Sequence, residues 1–468
     1  MKSFHLVFGS TAIALSVGFT LGSRAGVEPA PAAHAASPAP NATASATIAV
    51  PQESSGTLTG LRQAGDQPSP DFGQQPLIDG LPAGLQPWRD PNRPDVIVLD
   101  EGYDDFFLRT DRSSEQRAPG PINLQRYQFA FSKWAFPTYL GVPIALTPED
   151  LVAGKVDVAI VGVPSDFNVA GGQGWAANQM RIIRTIDTAN KGYDRHVSVN
   201  YMKELTIVDY GNASQNMFQM GLSLAEGAKV VGEILGAGAT AVVVGGSHDT
   251  EAVGHMAMVR QFGPKNYATV HFDAHEDAYG VSLGTFVHGG RARRWAWEQG
   301  WIKGEDLHSL GMRGPYGDPE ILAWQREVGE RYHYMAEFEE DGFDVAWARV
   351  LEEVKGKRLH ISFDDRPDEL DVDAVDPSFV PGVSNPDPGG FTAAQAIRMV
   401  RELAIQNDVA IIEFDEYSPI YDDTHYSTAL VIDRMMRAFL AGKALRKKGI
   451  TDPNYVDPEV LDHGKRKR

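Results

Sequence analysis

Residues 267–277 read Tyr-Ala-Thr-Val-His-Phe-Asp-Ala-His-Glu-Asp, and this stretch decides the fold. It opens as a short, nearly continuous run of apolar and β-branched residues, which is typical of a strand buried on both faces of a parallel sheet. Asp273, His275 and Asp277 follow at alternating positions, so in an extended segment their side chains point the same way. The stretch predicts a strand that ends in three convergent polar side chains.

Similar apolar runs recur along the chain and alternate with amphipathic stretches. The runs cover residues 156–163, 205–210, 240–246, 267–274, 358–364 and 408–416. The amphipathic stretches include residues 218–235, 392–403 and 424–442. Because strand and helix patterns alternate throughout, we expect a single three-layer, doubly wound α/β domain with a mainly parallel sheet over residues 130–445.

Polar residues collect at the ends of three of the predicted strands, where functional groups of such folds lie. The run 240–246 leads into His248, and the run 358–364 ends at Asp364. Asp371 and Asp373 follow Asp364 and repeat the spacing of two residues. Together with residues 273–277, these positions supply two imidazoles and several carboxylates to one edge of the sheet.

The composition limits what these side chains can do. The chain has 468 residues and no cysteine, so thiolate nucleophiles, iron-sulfur clusters and cysteine-based zinc sites are excluded. Its formal net charge of -19 disfavours binding to nucleic acid or to anionic membranes. Neighbouring buried carboxylates repel each other unless cations neutralise them. We therefore expect two divalent metal ions, with manganese preferred and nickel, cobalt or zinc also compatible, and hydrolysis as the chemistry.

In these residues the chain resembles the ureohydrolase family of arginases and agmatinases, and the resemblance extends over about residues 130–440. It is closer to the agmatinase branch, because Asp277-Ala278-Tyr279 is followed by His288-Gly289. The motifs that carry it lie at residues 137–143, 162–166, 245–248, 273–277, 371–382 and 386–392.

The resemblance implies a role for each matching residue. His248, Asp273 and Asp277 would hold one metal, and His275 would hold the other with the Asp-x-Asp pair. Asp273 and the first aspartate of that pair would bridge the two ions. The remaining matches are His288, which would pass protons to the leaving amine, and Glu416, which would pair with the substrate guanidinium; Glu413 is the rival to Glu416.

Three departures from the family pattern bear on the site. The turn reads Gly-Gly-Ser-His-Asp in place of Gly-Gly-Asp-His-Ser, so the hydrogen bonds around His248 must differ. Residues 365–370 split the usual Ser-Phe-Asp-x-Asp, which leaves either Asp364 or Asp371 as the bridging ligand. Residues 171–175 lack the family's Arg-Pro-Gly-Ala-Arg pattern, so the mouth of the substrate site is expected to be altered.

The N-terminal part of the chain predicts export. Residues 1–35 have a positive charge, an apolar run and an Ala33-His34-Ala35 cleavage pattern, as in a secretory signal peptide. We therefore expect a secreted or periplasmic protein without a membrane anchor after cleavage. Residues 36–95 are rich in proline, alanine and serine, residues 96–129 form an N-terminal extension, and residues 446–468 a charged tail.

The function expected from the resemblance is release of urea from a small guanidino compound, with agmatine first and related guanidino amines or acids next. The resemblance also implies a homo-oligomer, either trimer or hexamer. Two alternatives stay open: a metal-dependent amide hydrolase of the deacetylase type, and an inactive sensor that binds guanidino ligands.

Overall fold

A computed structural model describes residues 117–124, 137–167, 178–186, 192–216, 219–280, 287–315, 317–363, 374–383 and 386–464. A parallel sheet of eight strands runs through these residues. A separate antiparallel pair, β2 and β3, lies at Tyr193–Asp194 and Val199–Asn200. The strands of the large sheet are β1 (Val158–Gly162), β4 (Ile207–Asn212), β5 (Thr240–Val244), β6 (Ala268–Phe272), β7 (Leu307–Leu310), β8 (Arg331–His333), β9 (Arg358–Phe363) and β10 (Asp408–Phe414).

Helices cover both faces of the large sheet. In chain order they are α1 (Pro148–Gly154), α2 (Gln179–Thr185), α3 (Tyr201–Glu204), α4 (Met220–Gly236), α5 (Asp249–Phe262), α6 (Ala292–Glu298), α7 (Pro319–Val328), α8 (Met335–Glu340), α9 (Phe343–Val354), α10 (Ala393–Gln406) and α11 (Ser427–Lys447). Short 3-10 turns lie at Tyr139–Gly141, Gly289–Arg291 and Gly304–Asp306.

The sheet separates two hydrophobic cores. Along β1, Val158 and Ile160 face one core and Ala159 and Val161 face the other, so this strand is buried on both faces. Helices α9, α10 and α11 contribute to the first core, and α4, α5 and α6 contribute to the second. This arrangement confirms the predicted three-layer α/β fold with a parallel sheet.

All six strands predicted from apolar runs are present, with ends that differ by up to a few residues. Strands β7 and β8 were missed, since they have only 4 and 3 residues and β7 contains the polar pair His308-Ser309. Among the described residues, no helix is long and apolar enough to cross a membrane.

The predicted charged tail also differs from expectation. Helix α11 continues to Lys447, beyond the predicted domain end at residue 445. Ile450 and Tyr455 then pack against the first core, and the main-chain N–H of Asp457 donates to the carbonyl of His196 at 3.3 Å. The start of the tail is therefore part of the packed domain.

The strand order places the predicted site residues together. The order is β4-β1-β5-β10-β9-β6-β7-β8, so β5, β10, β9 and β6 are consecutive. All of the ladders in this sheet are parallel. The carboxyl ends of these four strands therefore meet at one edge, where ligands bind in open α/β sheets.

The turn after β5 needs glycine for steric reasons. A Cβ atom on Gly246 would lie 1.7 Å from the main-chain oxygen of Ser165. We expect Gly246→Ala to lower the free energy of unfolding by about 1–3 kcal/mol, because the backbone has to move apart. Urea-induced unfolding of the metal-free chain measures this change.

Gly232→Ala is the matched control. Gly232 lies inside α4, and a Cβ atom there has nothing within 4 Å. Alanine should stabilise this helix by about 0.5–1 kcal/mol, because it costs less backbone entropy than glycine. If both substitutions change stability in the same direction, the steric explanation for Gly246 is wrong.

Candidate metal and active site

The turn after β5 carries His248 to the start of α5. The main-chain N–H of Ser247 donates to the Ser165 carbonyl at 2.8 Å, and Gln179 Nε2 donates to the Gly246 carbonyl at 3.0 Å. His248 is the residue immediately before α5 and is fully buried. The turn is therefore held from two sides, and it fixes the position of the imidazole.

The exchanged order of Ser247 and Asp249 produces its own hydrogen-bond pattern. The Ser165 and Ser247 hydroxyls each donate to one oxygen of the buried Asp249 carboxylate. Burial raises the pKa of Asp249, and the two hydroxyl hydrogen bonds offset part of that increase. Both exchanged residues of the altered motif therefore take part in the polar contacts of this turn.

The predicted ligands of the first two motifs form two contacting pairs at the sheet edge. His248 Nδ1 lies 3.1 Å from Asp277 Oδ2. The main-chain N–H of His275 donates to Asp273 Oδ1 at 2.7 Å, and His275 Nδ1 lies 3.4 Å from the same oxygen. All four side chains are 0 to 1% exposed. Separations of about 3 Å between donor atoms suit ligands that share one ion.

The loop that carries Asp277 is fixed by α6 and the 3-10 turn before it. Arg291 Nη1 donates to the Tyr279 carbonyl at 3.1 Å, and Arg294 Nη1 donates to the Ala278 carbonyl at 2.9 Å. The Tyr279 N–H donates to the Gly290 carbonyl at 2.9 Å. These contacts bring His288, which is 7% exposed and precedes Gly289–Arg291, back toward the Asp277 loop.

Glu416, not its rival Glu413, contacts a predicted ligand. Its Oε1 accepts a hydrogen bond from the His248 main-chain N–H, and its own N–H donates to the Gly246 carbonyl at 2.7 Å. Glu413 lies on β10, where its Oε1 is 2.9 Å from His360 Nε2. Glu416 is therefore at the sheet edge, whereas Glu413 is beneath it.

Two of the predicted site residues have a left-handed backbone. Asp277 has a φ of 27° and Glu416 has a φ of 59°. This region is unfavourable for residues with a Cβ atom, and such strain is common at functional sites. The surrounding hydrogen bonds hold both residues in that conformation.

A buried layer of polar side chains under α5 was missed by the sequence analysis. It consists of Glu251, His255, His271, His360 and Glu413, all 0% exposed. His271 lies on β6, two residues before Asp273, which follows the strand directly, so the alternation that led to Asp273 already included it. Glu251 and His255 follow His248 at helical spacing, which becomes visible only once α5 is recognised.

Contacts within this layer shift several pKa values. Burial raises the pKa of Asp273, but hydrogen bonds with His271 and His275 outweigh it and hold the pKa well below its usual range. Burial and the charge of Arg293 lower the pKa of His271, yet Glu251 and Asp273 raise it to about 9. The neighbouring imidazoles likewise overcome burial and lower the pKa of Glu251.

Asp415 is the least compensated carboxylate of the region. It is fully buried, and neither of its oxygens has a hydrogen-bond partner among the described residues. Burial and the charges of Glu413 and Glu416 raise its pKa well above the usual value. Sequence analysis gave it no role, because an acidic residue beside a predicted site glutamate carries no distinctive signal.

Several predicted residues lie outside the described part of the chain. These are Asp364, Asp371 and Asp373 of the split motif and residues 171–175 of the expected substrate mouth. The choice between Asp364 and Asp371 as a bridging ligand therefore stays a prediction.

The described residues fit a divalent metal centre. Imidazole nitrogens and carboxylate oxygens converge there without sulfur, a donor set that suits manganese and related ions. The buried carboxylates also outnumber the side-chain cations beside them, and bound cations remove that cost. Three of the described side chains, His248, Glu251 and His271, place ligand atoms within 4.8 Å of one another.

The fold and this site lead to a family. A model described as the Arginase family matches residues 156–442, which is more than half of the chain. The chain belongs to the arginase family. As a member of that family, it is a hydrolase that acts on C–N bonds.

Individual relatives are similar over most of their own length. A guanidinopropionase from Pseudomonas aeruginosa is 31% identical over 64% of this chain and 89% of the relative. An agmatinase from Salmonella dublin is 28% identical over 66% of this chain and 94% of the relative. The solved structure of Trypanosoma cruzi formiminoglutamase with Mn²⁺ is 23% identical, covers 62% of this chain and 94% of that one, and has a TM-score of 0.55.

Asp415→Asn should stabilise the metal-free protein more at pH 8 than at pH 5. The folded protein holds the Asp415 proton to a higher pH than the unfolded chain does. Unfolding therefore releases a proton between the two pKa values, and wild-type stability falls as pH rises through that window. The amide does not titrate, so the variant lacks this decline. Thermal unfolding at the two pH values measures the difference.

The control is Asp341→Asn, an exposed position at the end of α8. It should change the free energy of unfolding by no more than about 0.5 kcal/mol at either pH. An Asp415→Asn variant whose advantage is the same at both pH values would contradict the raised pKa.

Proposed function

We propose that this chain hydrolyses a guanidino compound and releases urea, with agmatine as the first candidate substrate. One observation carries the proposal: His248 with Asp277, and Asp273 with His275, lie as two contacting and fully buried pairs at the carboxyl ends of central strands in a member of the arginase family. In the reaction with agmatine, water adds to the guanidinium carbon and the bond from that carbon to the chain nitrogen breaks. Putrescine and urea are the products.

Two divalent ions would be held by these four side chains together with the aspartates of the split motif. When bound, they would activate water for attack near neutral pH. Manganese is the first choice, because the donors are oxygen-rich, and nickel is the second. The formiminoglutamase neighbour with Mn²⁺ agrees with this choice.

Glu416 is proposed to orient the substrate. Its carboxylate is buried and lies against the main chain of His248, so it is close to the proposed ligands. A buried carboxylate attracts a planar guanidinium through charge-assisted hydrogen bonds and fixes its orientation. The strained backbone of Glu416 supports this assignment, because its position is determined by the structure around it.

His288 is proposed to deliver a proton to the leaving amine. It lies next to the turn that contacts the Asp277 loop, and it is nearly buried. Histidine changes protonation near neutral pH, as a group must that gives and regains a proton in each cycle.

A guanidino acid is the second candidate substrate. The relative with 31% identity is named a guanidinopropionase, and the agmatinase relative is 28% identical. The two classes differ at the end remote from the guanidinium, where one has an ammonium and the other a carboxylate.

Export through residues 1–35 and assembly as a trimer or hexamer also remain proposals.

The decisive experiment is an assay of urea release by the chain without residues 1–35, reconstituted with Mn²⁺ or Ni²⁺. The substrates are agmatine, arginine, guanidinobutyrate and guanidinopropionate. We expect turnover of agmatine or of one guanidino acid, and loss of turnover when the metal is chelated. Bound metal with no urea from any of these substrates would contradict the proposal and favour the sensor or amide-hydrolase alternatives.

Glu416→Gln tests the substrate contact. Removing the charge should lower kcat/KM for the preferred substrate by about 10²-fold or more, because the guanidinium loses its buried ionic partner. Glu413→Gln is the matched comparison, three residues earlier on β10, and its effect on kcat/KM should be much smaller. An equal loss in both variants would contradict the assignment of Glu416.

A further inference from the structure

One side chain in the buried polar layer lies between the two pairs of proposed ligands, His248 with Asp277 and Asp273 with His275. Glu251 is in the first turn of α5, three residues after His248. Its Oε2 is at hydrogen-bond distance from His248 Nε2, 3.1 Å, and its Oε1 is at ion-pair distance from His271 Nδ1, 3.3 Å. Each oxygen of this one carboxylate therefore faces a different imidazole.

The second ring nitrogen of each imidazole faces an aspartate that is a proposed metal ligand. His248 directs Nδ1 toward Asp277 Oδ2 at 3.1 Å. His271 directs Nε2 toward Asp273 Oδ2 at 3.0 Å. A continuous path thus runs from Asp277 through His248, Glu251 and His271 to Asp273.

The way histidine binds metals suggests what this path does. When one imidazole nitrogen binds a metal, the other carries a proton and donates it to a carboxylate or carbonyl, which fixes the tautomer and the ring orientation. Glu251 is in the position to accept that proton from His248. Through His271 it also holds Asp273, the carboxylate that would be shared by both ions.

The side chains of this path are buried from solvent. Glu251, His248 and His271 are 0% exposed, and the His248 and His271 rings stack with centroids 5.3 Å apart. Within the same layer, Glu251 Oε1 is also 3.5 Å from His255 Nε2. The carboxylate therefore has a fixed orientation between its partners.

We propose that Glu251 is a positioning residue that sets the affinity of the dinuclear centre by orienting His248 and, through His271, Asp273. This inference rests on the proposed function, because it assumes that His248 and Asp273 hold the metals. It goes beyond that function by assigning the coupling of the two metal positions to a residue outside the proposed set of ligands.

The test measures Mn²⁺ binding, not only activity. Free Mn²⁺ is counted by its electron paramagnetic resonance signal while the metal-free chain is titrated. We expect Glu251→Gln to weaken binding by about 10- to 100-fold, because the amide lacks the negative charge that faces both imidazoles. The variant reloaded at high Mn²⁺ should have a lower kcat with little change in KM, since the substrate contacts are intact.

Glu402→Gln is the matched control, a buried glutamate on α10 far along the chain. Glu402 accepts hydrogen bonds from Trp347 Nε1 and Arg398 Nε, both at 2.7 Å. This variant should lose stability but keep the wild-type Mn²⁺ affinity. If both variants weaken Mn²⁺ binding equally, Glu251 acts only through general stability and the proposal is overturned.

Two further single variants and one double variant keep the test decisive if Glu251→Gln folds poorly. Glu251→Asp retains the charge but is one methylene shorter, so it should weaken Mn²⁺ binding as well. His271→Gln should weaken binding by itself, and the double variant with Glu251→Gln should add little to Glu251→Gln alone. Fully multiplicative effects would show that Glu251 and His271 act separately, against the proposed path.

Other outcomes separate this proposal from the proposed function. A wild-type chain that binds three Mn²⁺ ions, with Glu251→Gln losing one of them, would make Glu251 a ligand and overturn the positioning role. Unchanged affinity in a variant that still releases urea would overturn only this inference. Weakened affinity in a chain whose wild type releases no urea would overturn only the proposed function.

Discussion

The arrangement of the site depends on the burial of many carboxylates at one edge of the sheet. Asp249, Glu251, Asp273, Asp277, Asp415 and Glu416 are all nearly or fully shielded from solvent. Each buried negative charge is costly unless a hydrogen bond, an imidazole or a cation compensates it. The two hydroxyls on Asp249 and the imidazoles on Asp273 and Glu251 supply this compensation from the protein itself. The negative charge that the protein does not compensate favours binding of divalent ions. Metal binding would therefore stabilise the folded chain.

Imidazoles contact carboxylates in the buried layer under α5 as well as at the sheet edge. Gly254 lets this happen, because a Cβ atom there would lie 2.3 Å from His360 Nε2. Helix α5 can therefore approach β9 closely enough to cover a histidine. A second set of charged side chains thus contacts the proposed ligands, and hydrophobic cores lie on either side of the sheet that carries them.

The sequence was sufficient to predict the sheet, because its strands follow from local patterns, and to predict several of the polar residues at its edge. Apolar runs predict strands buried on both faces, and the polar residues after the run 267–274 predict a site at its carboxyl end. The chain is not extended as far as Asp277, which has a φ of 27°, so simple alternation does not describe the whole segment. Strands β7 and β8 are too short and too polar to give that signal. The roles of Glu251 and His360 could not be predicted, since their partners are distant in sequence and meet only when α5 packs on the sheet. The resemblance favoured Glu416 over Glu413, and the fold shows how the two differ. Glu416 contacts the main chain of His248, whereas Glu413 faces His360.

The order of the central strands has a consequence for how the chain is made. Strand β5 is paired on one side with β1 and on the other with β10, although β10 begins 164 residues after β5 ends. During synthesis from the N-terminus, the side of β5 that will receive β10 therefore stays unpaired until nearly the whole domain has left the ribosome. An unpaired strand edge invites association with other chains. Glu416 also arrives only with that last central strand, so a nascent chain can carry His248 and Asp273 long before it has the complete site.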